Sequence, residues 1–210
     1  MDLPTMRARV RRDLHDEGSN LRWTDDEVDR HVQRAVAEVS LAAPRERTAT
    51  LTTTAGSRDL SLASVTDLLT VEAVEYPTGL YPPSYARYSL WGGTLTLLVD
   101  ALPGGQEEVK LYYGASHTLG ASASTLPAQL EDVAASGAGA YAALEWANYA
   151  INRVNVGGEE VWRQYLTWGQ ERLATYQEAL RKLGGRNAVR VRSLYTQANA
   201  LPGQATDWGP

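Results

Sequence analysis

The chain contains no cysteine. That excludes a disulfide scaffold, a Cys-ligated zinc site and a thiol nucleophile, and it fits a fold made in a reducing cytoplasm or indifferent to redox state. Phenylalanine is also absent, so the aromatic load falls on 11 Tyr and 6 Trp. Lysine is nearly missing: of 20 basic residues only Lys110 and Lys182 are lysine, and the other 18 are arginine. A GC-rich coding sequence accounts for both biases. Tyr, Trp and Arg are also the residues enriched at protein interfaces, and the two accounts are compatible. No stretch approaches the roughly 20 continuous apolar residues of a membrane span. The opening Met1-Asp2-Leu3-Pro4 has no apolar run of the signal-peptide kind, which sets the expectation that the chain is not secreted.

What is present is ordinary for a packed protein. The 210 residues include 43% hydrophobic and 21% charged side chains, which excludes disorder throughout. A chain of this mass buries about 70% of its surface, enough for one large domain or two small ones. The net charge of −5 and pI near 5.3 argue against a dedicated nucleic-acid or anionic-membrane binder.

Hydrophobic spacing predicts two helices at the start. Met6, Val10 and Leu14 recur every four residues over 4–16, with Gly18 placed to end the helix. Thr24-Asp25-Asp26-Glu27 reads as a capping box opening a second helix, whose stripe is Val28, Val32, Ala35, Val36 and Val39. Pro44 forces its end by Ala43. From 47 to about 113 the period changes to that of strands, broken by Gly56-Ser57, Pro77-Thr78-Gly79, Gly92-Gly93 and Pro103-Gly104-Gly105. Two glycines between β-rich runs predict a hairpin at 92–93. A third helix is predicted over 127–154 and, after a turn at 155–158, a fourth from Glu159 to Lys182 that folds back antiparallel. The stripe of that fourth helix is Trp162, Leu166, Leu173, Tyr176 and Leu180. The fold class is therefore α+β: a helical bundle built from 1–46 and 124–185, with an antiparallel β-sandwich or barrel inserted at 47–123. Past Gly184-Gly185 the pattern dissolves into an extended C-terminal arm over 186–210, which keeps Arg186, Arg190, Arg192, Leu194, Tyr195, Leu201 and Trp208. A disordered tail normally avoids such aromatics and leucines, so the arm reads as one that orders on a partner.

Chemistry-bearing motifs are scarce. His15, His31 and His117 share no metal-ligand spacing, and neither a nucleophile elbow nor a phosphate loop is present. The acidic runs Asp25-Asp26-Glu27 and Glu107-Glu108 suit a helix start and an exposed turn. Gly137-Ala138-Gly139-Ala140-Tyr141-Ala142 matches the dinucleotide fingerprint, but Leu130–Ser136 before it reads as helix already under way, and the small residues suit close approach of another helix. The sequence thus predicts no enzyme, no cofactor and no metal. Tyr76, Tyr81, Tyr85 and Tyr88 form an aromatic, proline-rich patch that reads first as an interface. A second function class, a glycan- or peptide-binding sandwich on a helical stalk, would use the same tyrosines.

The N-terminal helix pair carrying Leu21-Arg-Trp23-Thr-Asp-Asp-Glu-Val28 and ending at Ala42-Ala-Pro44 resembles the head-to-tail connector, or portal adaptor, family of tailed phages. Pro82-Pro-Ser-Tyr85, Val109-Lys-Leu-Tyr-Tyr113 and Leu126-Pro127 before a small-residue helix are similar to the larger adaptors with a β insert. The resemblance implies a virion neck protein assembled in the host cytoplasm, in a ring of about twelve copies beneath the portal. Its implied partners are the portal protein, copies of itself, and the tail or a second neck protein. DNA would pass through the channel without specific binding, an acidic balance suiting a ring that must not hold phosphates. The bundle would supply ring contacts and the arm would reach the portal.

Overall fold

The structure, a computed structural model, describes residues 1–150 and 160–195, with the backbone alone over 189–195. Helix α1 (Leu3–Asp13) and α2 (Asp25–Ala42) precede six strands: β1 (Arg45–Thr52), β2 (Asp59–Ser61), β3 (Leu68–Glu75), β4 (Tyr88–Trp91), β5 (Thr94–Leu97) and β6 (Glu108–Ala115). Helices α3 (Ala128–Ala150) and α4 (Val161–Tyr195) follow. Apolar side chains form two cores. One joins the four helices, and the other joins the two sheets face to face.

Local chemistry sets the helix ends. Thr24 and Glu27 close the capping box expected of them, each satisfying an otherwise unpaired backbone donor. Helix α1 stops earlier than Gly18. His15 takes a left-handed φ of 52°, and the amides of His15 and Asp16 turn back to the carbonyls of Arg12 and Arg11 at 3.1 and 2.9 Å. That is a Schellman closure with histidine where glycine is usual. The Asp16 carboxylate, 4% exposed, then receives the Arg22 amide at 2.6 Å and the Arg11 guanidinium. A second Arg11 nitrogen donates to the Trp23 carbonyl at 2.9 Å and to Asp25 at 2.8 Å. This buried ion pair is fully hydrogen-bonded, the condition under which such a pair is tolerated in a core.

Helix α3 is buried on almost every side, through Ala134, Ala135, Gly137, Ala138, Gly139, Ala140, Ala142 and Ala143 among others. A helix buried all round is a central one. Alternate close pairs run α3 and α4 antiparallel: Gly137 meets Tyr176, Gly139 meets Trp168 and Leu144 meets Gly169. The fingerprint-like glycines are therefore packing notches, with helix on both sides. The Tyr176 ring fills the notch so closely that a Cβ at Gly137 would lie 2.6 Å from it. Its hydroxyl continues across to donate to the Ala35 carbonyl of α2 at 3.1 Å. Trp23 locks the α1–α2 connection to the same layer, its indole donating to the Ala142 carbonyl at 3.2 Å.

The insert is two three-stranded antiparallel sheets, ordered β1-β6-β3 and β2-β5-β4. Gly92 and Gly93, with φ of 55° and 80°, make the expected two-residue hairpin, since a type I′ turn needs positive φ at both positions. The sheets join where Tyr85 bridges to Glu75 and the Ala86 amide donates to the Val74 carbonyl at 2.8 Å. His117 ties the insert to the bundle. Its amide donates to Ser40 Oγ at 2.9 Å, and its ring nitrogens face the carbonyls of Thr125 at 2.9 Å and Ala43 at 3.0 Å.

One boundary differs from the sequence reading. Gly184-Gly185 do not end the fourth helix: α4 runs on to Tyr195, so 186–195 are helical where an extended arm was expected. Neither glycine has the positive φ of a helix cap, and Gly184 lies against the Ala42 carbonyl, where a Cβ would sit at 3.9 Å. Two helical glycines cost about 1 kcal/mol each, and the residues that follow, such as Ala188 and Arg190, are good helix formers. The predicted end of the third helix at 151–154 and the turn at 155–158 lie outside the described residues.

The two kinds of glycine separate in a stability measurement. Gly137→Ala should destabilise by about 1–3 kcal/mol through overpacking against Tyr176, despite alanine's helical advantage. Gly185→Ala, with nothing within 4 Å, should stabilise by up to about 1 kcal/mol. Denaturant midpoints of the two variants read both signs.

Candidate assembly surfaces

No group of three or more His, Asp or Glu side chains that could hold a metal occurs among the described residues. The histidines are structural: His15 is exposed at the α1 cap, His31 is 5% exposed on α2 with Nε2 2.8 Å from Glu145, and His117 pins the insert. Burial holds the His31 imidazole below its ordinary range, against the pull of Glu145.

The four patch tyrosines divide. Tyr76 is half-buried and donates to Glu107, and that contact raises its phenol pKa. Tyr88 is half-buried, donates to the Val71 carbonyl at 2.7 Å, and is raised by burial. Tyr85 packs edge-on to Tyr112 with ring centroids 6.2 Å apart. Tyr112 donates to Glu75 at 2.7 Å, and burial together with that carboxylate pushes its pKa up to about 12. These side chains fasten the β3–β4 loop to the sandwich. Only Tyr81 is fully exposed, with Leu80 beside it at 52%.

Other exposed apolar side chains carry no flag in the sequence except position. Trp91 is 89% exposed, next to Leu90 on the hairpin. A tryptophan directly before a Gly-Gly turn sits at a tip, and that adjacency was the available signal. Leu98 and Leu102 are exposed on the way from β5 to β6, and Leu41 is exposed on the last turn of α2.

Of the arm residues, Arg186 is exposed on α4. Arg190, Arg192, Leu194 and Tyr195 lie on the same helix by backbone, and Leu201 and Trp208 lie outside the described residues. Gly185 to Tyr195 carry α4 about 16 Å past the end of α2, at 1.5 Å per residue. Three arginines and no acid occupy 186–195.

Comparison with known proteins places this layout. The family model for the SU10 adaptor protein matches residues 1–200. The chain belongs to the SU10 adaptor protein family. This is a phage head–tail adaptor family, and the adaptor is a structural protein of the virion neck. A solved structure described as "Neck of empty GTA particle computed with C6 symmetry" aligns with 82% of this chain and 88% of that chain, at 17% identity and a TM-score of 0.29. No curated protein matches the chain.

Loop fastening in the adaptor has a pH signature. A phenol pKa raised from 10 to about 12 in the folded state contributes stability fully present below pH 10 and lost as pH climbs to about 12. Tyr112→Phe should flatten the fall in stability across that window. Denaturation midpoints at stepped alkaline pH, with tyrosinate absorbance followed in parallel, read the difference.

Proposed function

We propose that the adaptor forms a ring beneath the portal protein, extends the DNA channel and carries the tail or a second neck protein below. Assembly takes place in the host cytoplasm, and the role is mechanical, without a catalytic step. The family match over residues 1–200 is the observation that carries this reading. Twelve copies is the stoichiometry the connector resemblance implies.

Two features of the chain support the assignment of surfaces. The end of α4 leaves the bundle past Ala42 with arginines at 186, 190 and 192, a basic segment on a chain of net charge −5. Together with Leu194, Tyr195, Leu201 and Trp208, it is the part suited to dock on the portal, because Arg and aromatic side chains dominate interface energetics. The channel wall, by contrast, works best neutral or acidic. Each phosphate neutralised by an arginine adds salt-dependent affinity that would retard DNA. The tyrosine loop at 76–88, with Tyr81 outermost, is proposed as a contact with a neighbouring subunit or neck protein.

Quantitative mass spectrometry of purified particles tests the reading. A ratio to the portal near one to one is the expected result, and absence of the chain from particles sinks it. Deleting 186–210 should abolish portal docking while leaving the folded bundle intact. Docking that survives the deletion removes the arm from the proposal.

A further inference from the structure

The hairpin of β4 and β5 offers a protruding apolar knob. Trp91 is 89% exposed and Leu90 43% exposed. The two glycines that follow, with φ of 55° and 80°, hold a tight turn, so the knob is presented by a preorganised element. From Ser89 to Leu98 the chain carries no charged side chain.

A matching hollow lies elsewhere on the molecule. Where the bundle meets the insert, a shallow groove of about 510 Å³ is lined by Ala43, Pro44, His117, Thr125, Pro127 and Leu130. The ring nitrogens of His117 face the backbone carbonyls of Thr125 and Ala43, so the ring is turned to its own chain. The lining also includes one basic and one acidic side chain, Arg45 and Glu46.

We propose that the hairpin tip of one copy, anchored by Trp91, seats in the junction groove of a second copy. The inference rests on the ring reading above and names the contact that builds the ring. Within one copy Trp91 does not fill its own groove, as its exposure shows. Knob and hollow are different surfaces of the same chain, so the contact is head-to-tail and propagates until rotation closes it, unlike a self-complementary twofold dimer. An aromatic side chain buries roughly 150–250 Å², and tryptophan is the residue most often found as an interface hot spot. The tip carries no charged residue, and the two charged side chains of the hollow, Arg45 and Glu46, are of opposite sign.

Because the chain has no cysteine, introduced thiols are the only ones it carries. Ser89→Cys is exposed and lies on the same face of β4 as Trp91, two residues away. Glu46→Cys replaces an exposed residue that lines the groove. The double variant, carried in assembled particles and treated with a short bismaleimide, should give a covalent ladder of this chain, and each single variant should give none. Trp91→Ala, exposed and outside both cores, should weaken each contact roughly 30-fold or more, seen as loss of the ladder or of the chain from particles. An undiminished ladder in that variant overturns the anchor. Particles that hold the chain but yield no ladder, or that join the thiol at position 89 to another protein, overturn the contact and leave the neck reading in place. Particles in which the wild-type chain is missing overturn the neck reading itself.

Discussion

The bundle depends on how little side chain α3 carries. Alanine and glycine on nearly all its sides let three other helices approach its backbone, and the bulk that fills the space comes from the neighbours. Interaxial distance is set by the side chains at the contact. At Gly137 that distance is short enough for Tyr176 of α4 to pass beside α3 and reach the α2 carbonyl at Ala35. One notch therefore couples three helices. The same logic places Trp23 on Ala142, while farther along α3 its own Trp146 meets Tyr165 of α4 with ring centroids 4.6 Å apart. Large residues of the neighbours converge on α3 where its own side chains are small, as at Ala134, Ala135, Gly137, Ala138, Gly139 and Ala140.

The second constraint is the junction. The chain leaves the bundle at Ala43 and returns at His117, and the two points are held together by the His117 amide donating to Ser40 and by its ring lying between the carbonyls of Ala43 and Thr125. An insert whose ends meet can be hosted without disturbing the bundle, which keeps its own apolar cluster. The junction also concentrates what an assembly needs. The groove opens there, α4 passes it at Gly184, and the arginine-bearing end of that helix projects beyond it. A neck component works by transmitting position between neighbours, and rigid elements meeting at one place suit that task better than separate flexible contacts.

Much of this was legible residue by residue. The capping box at Thr24 and Glu27, the stop before Pro44, the Gly92-Gly93 hairpin and the apolar stripe through Tyr176 are local signals with local causes. So was the dismissal of Gly137–Ala142 as a nucleotide loop, because helix already surrounds it. Gly184-Gly185 misled because glycine has two meanings. It caps a helix when its φ is positive, and it permits close approach when it is not. Only the position of Ala42 decides between them. The tyrosine patch was read as one surface, and the structure divides it, since hydroxyl partners such as Glu107 and Val71 lie far away in sequence.

The sequence by itself determined the order and type of the elements, the absence of thiol chemistry and the family. These rest on short-range periodicity, on capping and on composition, which need no knowledge of what lies across the core. Tertiary structure alone decided which aromatics are anchors and which are exposed. It also decided where the groove opens and how far α4 continues. Each of these depends on contacts between residues dozens of positions apart, such as Tyr176 with Gly137 and His117 with Ala43. Spacing along the chain cannot encode them, because burial is a property of neighbours in space.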